Sequence, residues 1–273
     1  MCEFLNVEGG LMRIKANGIQ MHYELSGKQD APVLVLSHSL ASSLIMWDPQ
    51  MDALKSHFQI LRYDVRGHGG TEAPKGPYTL KLLVEDVVGL MDALNIRSIH
   101  WVGLSMGGMI GQGLALDHAD RLKSLALCDT ASFISEEAQP LWQERFDAVR
   151  EEGMQALVDA TMERWFTPFF LRLNPPVVQK IRQEILKTPV EGYVGCGEAI
   201  RRLNYTDRLG EINLPTLIIV GEEDPGTPVS SAQDIHERIA ESKLVILPSA
   251  RHLSNVEQPE AFNAALLGFL RNL

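Results

Sequence analysis

The stretch "HWVGLSMGGMIG" (residues 100–111) joins an apolar run to a cluster of glycines, with one serine at the junction. Gly103, Ser105 and Gly107 form the pattern G-x-S-x-G. Between a strand and a helix, this pattern makes a sharp turn that exposes the serine side chain at the carboxyl edge of a sheet. The helix that follows would direct its positive N-terminus at that side chain. The pattern alone could also be a glycine-rich helix start with a serine N-cap, so the rest of the chain has to decide.

The chain around this turn alternates strand and helix patterns. Six short apolar runs are typical of strands buried on both faces of a parallel sheet. They cover residues 33–37, 58–64, 99–104, 122–129, 216–221 and 243–248. One-sided apolar stripes lie between them, as in residues 78–95. Before them, residues 11–27 alternate apolar and polar side chains around Asn17-Gly18, which predicts an antiparallel hairpin with a type I′ turn. We therefore predict an α/β fold: a mostly parallel central sheet, an N-terminal antiparallel hairpin and helices on both faces.

Residues 131–207 break this alternation. They contain no strand-like run, and their helix-like segments are separated by prolines at positions 168, 175, 176 and 189. We predict that this segment is an inserted helical cap, which divides the α/β core into residues 1–130 and 208–273. The alternative is a set of extra crossover helices packed on the sheet.

A serine nucleophile needs a base, and the base needs an orienting acid. Three histidines follow Ser105 in the chain. His118 and His236 lie in helix patterns, where solvated or hydrogen-bonded surface roles are expected. His252 lies in a loop between the last strand pattern and the last helix pattern. His252 is therefore the candidate base.

The candidate acid should also lie at the carboxyl end of a strand. Asp224 follows the run 216–221, while its neighbours Glu222 and Glu223 are expected to be exposed. Asp129 ends an earlier strand pattern and is the second candidate. We favour Asp224.

An oxyanion formed at the serine requires backbone donors. The Met106 N–H directly follows the nucleophile, and the Leu40 N–H lies in the loop after the run 33–37. Both are predicted to form the oxyanion hole. His38 and His68 are expected to support loops by hydrogen bonds and not to act as bases.

The same segments carry a family resemblance. They read "LSHSL" (36–40), "RYDVRGHGGTEAPKGPYT" (62–79), "GLSMGGMIGQ" (103–112), "GEEDPGTP" (221–228) and "RHLSNVEQPEAF" (251–262). In this order they resemble the α/β-hydrolase fold over essentially the full chain. Within that fold, His38-Ser39 and the phrases "RWFTPFF" (164–170) and "EGYVGCGEAIR" (191–201) resemble 3-oxoadipate enol-lactonases, enzymes of bacterial aromatic catabolism (the β-ketoadipate pathway). Asp129 departs from the pattern, because those lactonases have Asn there.

The resemblance implies an activity and a set of roles. Ser105, Asp224 and His252 would be the catalytic triad, and Leu40 and Met106 the oxyanion hole. The substrate would be a small enol-lactone with a free carboxylate, opened to 3-oxoadipate through an acyl-enzyme on Ser105, without a cofactor or metal.

Other readings use the same triad. They are a general carboxylesterase or lactonase, a carbon–carbon bond hydrolase of aromatic degradation, and a ligand receptor built on a hydrolase fold. Haloalkane dehalogenases and epoxide hydrolases place Asp at the nucleophile position, which Ser105 argues against. The cofactor-free perhydrolases usually carry Pro where Leu40 stands.

Charge and composition limit the kinds of molecule that the protein is expected to bind. The formal net charge of −10 argues against a nucleic-acid surface or an anionic membrane surface. No apolar run is long enough to span a membrane. The chain has three cysteines, Cys2, Cys128 and Cys196. This odd number indicates no disulfide framework, and the spacing is not that of metal ligands. We expect a cytoplasmic protein that binds a small molecule, and the sequence identifies no partner protein.

The negative charge creates a requirement for the expected anionic substrate. A local cation should face Ser105, and arginine suits a carboxylate because its planar fork can bind both oxygens. Arg164, Arg201 and Arg202 of the cap are the candidates, and Arg201 is favoured because it lies in a lactonase-like phrase. Three aromatic residues would then supply apolar walls, with core packing as the alternative role for each: Trp142, Trp165 and Phe166.

Overall fold

An eight-stranded sheet organises the part of the chain that the computed structural model describes, residues 12–273. The strands are Met12–Ala16 (β1), Ile19–Gly27 (β2), Val33–Ser37 (β3), Gln59–Tyr63 (β4), Ile99–Leu104 (β5), Leu122–Cys128 (β6), Thr216–Gly221 (β7) and Lys243–Leu247 (β8). Their order is β1-β2-β4-β3-β5-β6-β7-β8. The pairs β1–β2 and β2–β4 are antiparallel and the other pairs are parallel. The predicted fold class is confirmed.

The predicted hairpin is β1–β2. Asn17 and Gly18 have φ of 42° and 82°, and a type I′ turn needs a positive φ at both central residues. Leu11, the first residue of the quoted hairpin pattern, lies outside the described residues, as does Cys2.

Alternation along the strands builds two cores, one on each face of the sheet. Trp101 of β5 joins the core beneath the helices Leu80–Ala93 and Met106–Asp117, while the next residue, Val102, joins the core on the opposite face. The helices are Asp48–Leu54 (α1), Leu80–Ala93 (α2), Met106–Asp117 (α3), Gln139–Glu152 (α4), Val158–Trp165 (α5), Pro168–Leu173 (α6), Pro176–Lys187 (α7), Val190–Ile200 (α8), Val229–Arg238 (α9), Ser254–Glu257 (α10) and Pro259–Leu270 (α11).

One strand differs from the sequence prediction. The run 243–248 was expected to be buried on both faces, but Lys243 and Ile246 of β8 are exposed. The physical reason is position, because β8 is the last strand of the sheet and pairs only with β7. An apolar run cannot by itself distinguish a central strand from an edge strand.

The helices α4 to α8 form one continuous excursion between β6 and β7. Pro168 and Pro176 are the first residues of α6 and α7, where the missing N–H is harmless. The two ends of the excursion meet side by side. Phe133 and Asn204 form an isolated antiparallel bridge, and the Tyr205 N–H donates to the Ser132 carbonyl at 2.8 Å.

Among the described residues, no helix is both long and apolar enough to cross a membrane.

Candidate active site

The turn after β5 holds Ser105 in a backbone conformation that residues other than glycine rarely adopt, with φ 56° and ψ −113°. The two flanking glycines are required by close backbone contacts. A Cβ at Gly103 would lie 2.1 Å from the Gly107 carbonyl oxygen, and one at Gly107 would lie 2.2 Å from the Ser37 carbonyl oxygen. Helix α3 begins at Met106, directly after the serine. The G-x-S-x-G pattern is therefore a strand–turn–helix junction and not an ordinary N-cap.

The loops after β7 and β8 bring an acid and a histidine together. His252 Nδ1 lies 2.7 Å from Asp224 Oδ2, and both side chains are almost completely buried. Thr227 donates its hydroxyl to Asp224 Oδ2 at 2.7 Å, and the Gly226 N–H donates to Oδ1 at 2.8 Å. His252 Nε2 is left for the nucleophile, and Ser105 and His252 line the same cavity.

The surroundings of Asp224 favour its ionised form. Burial alone would raise its pKa, but the positive charge of His252 and hydrogen bonds from His252, Thr227 and Gly226 outweigh burial and lower it. An ionised carboxylate can orient an imidazole and stabilise the imidazolium that forms during catalysis.

Asp129, the second acid candidate, occupies a different position. It is fully buried at the end of β6, with a positive φ of 43°. Its Oδ1 accepts the Gly221 N–H at 2.8 Å, and its Oδ2 accepts the Ser254 hydroxyl at 2.5 Å. Burial and the negative charge of Asp224 raise its pKa well above the ordinary value. Asp129 contacts the segments on either side of the Asp224–His252 pair, whereas Asp224 contacts the imidazole itself.

The loop after β3 is held by two neutral histidines. His38 Nε2 accepts the Val65 N–H at 2.9 Å, and His68 Nε2 accepts the Ala41 N–H at 3.0 Å. A ring nitrogen that accepts from a backbone N–H cannot carry a proton, so each ring is protonated on Nδ1. Burial lowers the pKa of both rings, and that of His68 falls to about 3 with the further repulsion of His38. Both histidines support the loop that carries Leu40, as the sequence predicted.

The expected oxyanion donors lie in two segments that reach the cavity of Ser105. Leu40 lines the cavity and Met106 directly follows Ser105. Within residues 12–273, neither backbone N–H is used in a hydrogen bond to another protein group. Both donors are therefore available to a ligand.

A cavity of about 250 Å³ connects these groups to the excursion α4–α8. The core supplies Ser39, Leu40, Ala41, Ser105, Met109, Pro225, Gly226, Thr227 and His252. The segment between β6 and β7 supplies Ile134, Ala138, Leu141, Trp142, Arg145, Thr161, Arg164, Trp165, Tyr193 and Ile200. Trp142 and Trp165 line this cavity. Phe166 is instead fully buried and stacks on Phe170, with ring centroids 5.3 Å apart.

Two arginines of this wall lack a carboxylate partner within the described chain. Arg164 contacts the Thr161 hydroxyl at 3.3 Å, and Arg145 lies over the Trp142 ring with its Cζ 5.4 Å from the ring centroid. Burial, with the repulsion of Arg145, lowers the pKa of Arg164. Two half-buried cations that share a cavity and have no counter-ion favour an anionic ligand.

Arg201, the favoured candidate, lies outside this cavity. Arg201 follows the last residue of α8, and its Nε pairs with Glu198 at 2.9 Å. Its guanidinium lies over the Phe146 ring, 5.5 Å from the centroid, and it does not line the cavity. Arg202 pairs with the same Glu198 at 2.9 Å. Glu198, three residues before Arg201 and four before Arg202, is thus shared by both arginines.

Arg145 was missed by the sequence analysis, although a signal was present. It lies three residues after Trp142 on α4, so the two share one helix face. Thr227 was also missed; its position three residues after Asp224 is typical of a side chain that closes a turn on an aspartate.

The fold and this site define a class. The chain belongs to the α/β-hydrolase fold family, whose model matches residues 32–259. Among curated relatives, 3-oxoadipate enol-lactonase 2 of Acinetobacter baylyi is 38% identical over 253 residues, which cover 93% of this chain and 94% of that protein. Among solved structures, the enol-lactonase from Burkholderia xenovorans has a TM-score of 0.92 and 42% identity, covering 95% of this chain and all of that one. A thermophilic esterase from Thermogutta terrifontis has a TM-score of 0.90 and 32% identity, covering 96% and 98% of the two chains. The resemblance predicted from the motifs is confirmed.

Proposed function

We propose that the chain is a serine hydrolase that opens the ring of 3-oxoadipate enol-lactone to give 3-oxoadipate. One observation carries the choice of substrate: Arg145 and Arg164 face the same cavity as Ser105 and His252 and have no acidic partner among the described residues. A substrate that carries a carboxylate would supply the missing counter-ion. The similarity to two enol-lactonases supports the same assignment.

The reaction would begin with attack of Ser105 Oγ on the lactone carbonyl carbon while His252 Nε2 takes the hydroxyl proton. The developing oxyanion would accept hydrogen bonds from the Leu40 and Met106 N–H groups. Asp224 would stabilise the imidazolium that forms. The ring C–O bond then breaks, and the leaving enolate takes the proton from His252.

The leaving group makes ring opening effectively irreversible. An enolate is a better leaving group than an ordinary alkoxide, and the enol converts to a ketone. The acyl group remains as an ester of Ser105. Water, deprotonated by His252, attacks that ester and releases 3-oxoadipate, and the proton returns to Ser105.

The segment 131–207 would act as a cap over this cavity. It contributes both unpaired arginines and two of the three aromatic residues expected as walls. We further propose that the enzyme works in the cytoplasm, as the composition suggested, on a small-molecule substrate.

The test is a spectrophotometric assay with enol-lactone formed in situ from muconolactone, beside a neutral aryl ester. Arg164→Gln and Arg145→Gln should each lower kcat/KM for the enol-lactone by about 10- to 150-fold, because each removes a charge-assisted hydrogen bond of about 1.5–3 kcal/mol. The neutral ester should be almost unaffected. Arg201→Gln is the matched control, because that guanidinium lies outside the cavity.

A different result would favour the general carboxylesterase, which the similarity to the Thermogutta terrifontis esterase supports. In that case, wild-type protein would prefer the neutral ester, and no arginine substitution would discriminate between the two substrates.

A further inference from the structure

The loop that carries His252 is attached to the cap by hydrogen bonds on both sides of the histidine. After it, the Leu253 N–H donates to the Trp165 carbonyl at 3.1 Å. Before it, the Arg251 guanidinium donates to the Glu163 carbonyl. The segments 251–253 and 163–165 therefore run beside each other, and Arg164 lies in the middle of the second one.

A buried glutamate, Glu257 at the end of α10, closes this junction. Its Oε2 accepts the Arg251 N–H at 3.0 Å, and its Oε1 accepts the Thr167 N–H at 3.0 Å and the Thr167 hydroxyl. The side chain is only 7% exposed. One carboxylate thus binds the residue before His252 and a residue of the cap three positions after Arg164. No step of the proposed reaction uses this group.

The side chains of Arg164 and His252 both approach Gly226, which lines the cavity. A Cβ at Gly226 would lie 3.8 Å from Arg164 Cδ and 3.9 Å from His252 Nδ1. A displacement of segment 163–167 would therefore change the distance between Arg164 and His252 directly.

We infer that Glu257 is a positioning residue that couples the cap to the catalytic loop and fixes the separation between Arg164 and His252. The Arg164 half of this inference rests on the proposed function, because it assigns Arg164 to the substrate carboxylate. The role is geometric: Glu257 contacts no reacting atom, and it determines how a substrate bound at the arginine presents its ester carbonyl to Ser105 and His252.

The chemistry of the junction predicts which substitutions matter. Glu257→Ala removes every acceptor from the Arg251 and Thr167 donors. Glu257→Gln keeps the length of the side chain. Its one oxygen can accept from the Arg251 and Thr167 N–H groups, and its NH₂ group can donate to the Thr167 hydroxyl. Burial raises the pKa of Glu257 against the opposing hydrogen bonds of Thr167 and Arg251. The Thr167 N–H also lies 3.3 Å from Oε2, the oxygen that accepts the Arg251 N–H, so one oxygen at this position can accept from both N–H groups. Thr167→Val removes the hydroxyl contact with Glu257 and also the N-cap of α6, because the same hydroxyl accepts the Phe170 N–H at 3.2 Å.

The experiment compares two aryl esters of equal length, mono-4-nitrophenyl succinate with its carboxylate and neutral 4-nitrophenyl butyrate. Functional sites are counted by titration with a fluorophosphonate that reacts at Ser105, so that unfolded protein does not enter kcat. Glu257→Ala should lower the ratio of kcat/KM for the carboxylate ester to that for the neutral ester by about 10- to 100-fold. It should also lower kcat per titrated site for both esters, because His252 is displaced. Glu257→Gln should restore both values to within about threefold, and Thr167→Val should give an intermediate loss. Glu260→Ala, an exposed glutamate in the first turn of α11, is the control.

A double-mutant cycle gives the decisive comparison. If Glu257 acts through Arg164, Glu257→Ala should leave the ratio unchanged once Arg164→Gln is present. An equal loss for both esters, or a loss of folded sites with normal kinetics in those that remain, would overturn the inference. So would a further fall of the ratio in the double mutant. Enol-lactone turnover by the wild-type protein is measured separately, and its absence would reject the proposed function without altering the ester ratio on which this inference is judged.

Discussion

Asp129→Asn should separate two roles that the sequence left open, that of catalytic acid and that of a buried neutral contact. The amide oxygen can accept from the Gly221 N–H as the carboxylate does, and the amide nitrogen can donate to the Ser254 hydroxyl, which reverses the direction of the second hydrogen bond. Asn also tolerates the positive φ of 43° at this position. We therefore expect kcat/KM to stay within about threefold of wild type. Asp224→Asn should cost on the order of 10⁴ in kcat, because that side chain orients the His252 ring.

The same substitution predicts a change in stability with a definite dependence on pH. The folded pKa of Asp129 is raised above its unfolded value. The contribution of protonated Asp129 to the free energy of unfolding is therefore fully present below the unfolded pKa, near 3.9. It is lost as the pH rises towards the folded pKa. Over that interval the unfolded chain has released a proton that the folded protein keeps. The free energy of unfolding of Asp129→Asn should thus rise relative to wild type by about 1.4 kcal/mol for each pH unit.

Urea unfolding of both proteins at pH 5, 6 and 7 measures this slope, since titrating groups that do not interact with Asp129 cancel in the difference. Asp224 does interact with Asp129, but its lowered pKa keeps it ionised over this range. A difference that does not change with pH would mean that Asp129 is ionised in the folded protein. A loss of activity as large as that of Asp224→Asn would reassign the catalytic acid.

Three further outcomes follow from the site. Ser105→Ala should leave the fold intact and only the roughly 10³–10⁴-fold advantage over water that remains without a nucleophile; more than a tenth of wild-type turnover would contradict the serine mechanism. Gly107→Ala should lower the free energy of unfolding by about 1–3 kcal/mol, because its Cβ would collide with the Ser37 carbonyl oxygen. The control Gly268→Ala, in α11 with open space around it, should raise that free energy by up to about 1 kcal/mol. Equal urea midpoints for the two variants would refute this prediction. The pKa of His68 is lowered to about 3, so the contribution of this residue to the free energy of unfolding is present above the unfolded pKa, near 6.5, and is lost as the pH falls towards 3. His68→Gln should therefore weaken the fall in the free energy of unfolding at acid pH. An unchanged dependence on pH would exclude His68 as a source of that fall.

The sequence predicted those parts of the molecule that depend on local pattern. Three strand patterns, 33–37, 99–104 and 216–221, coincide with β3, β5 and β7. Strand ends in a parallel sheet converge on one edge, so placing Asp224 and His252 together needed only the order of the strands.

The residues of the excursion α4–α8 needed more than local pattern. Arg201 and Arg145 lie on neighbouring helices, and which of them enters the cavity depends on how α4 and α8 pack. Glu198 pairs with Arg201 and holds it away from the cavity. The sequence shows that this pair is possible, but it does not show that the pair forms in preference to a contact of Arg201 with the cavity. The role of Glu257 is similarly non-local, because its partner Thr167 is 90 residues away in the chain.

The bridge between Phe133 and Asn204 has a consequence for how such a chain can diversify. Because the excursion leaves and rejoins the sheet at adjacent points, its whole length can be exchanged for another segment without changing the spacing of β6 and β7. Recombination at these two points would transplant Arg145, Arg164 and the aromatic walls as a unit while Ser105 stays in its backbone-determined turn. The junction at Glu257 sets the condition for success: a transplanted segment must present a donor where Thr167 now lies. Chimeras that respect this requirement offer a route to new ester specificities on an unchanged catalytic core.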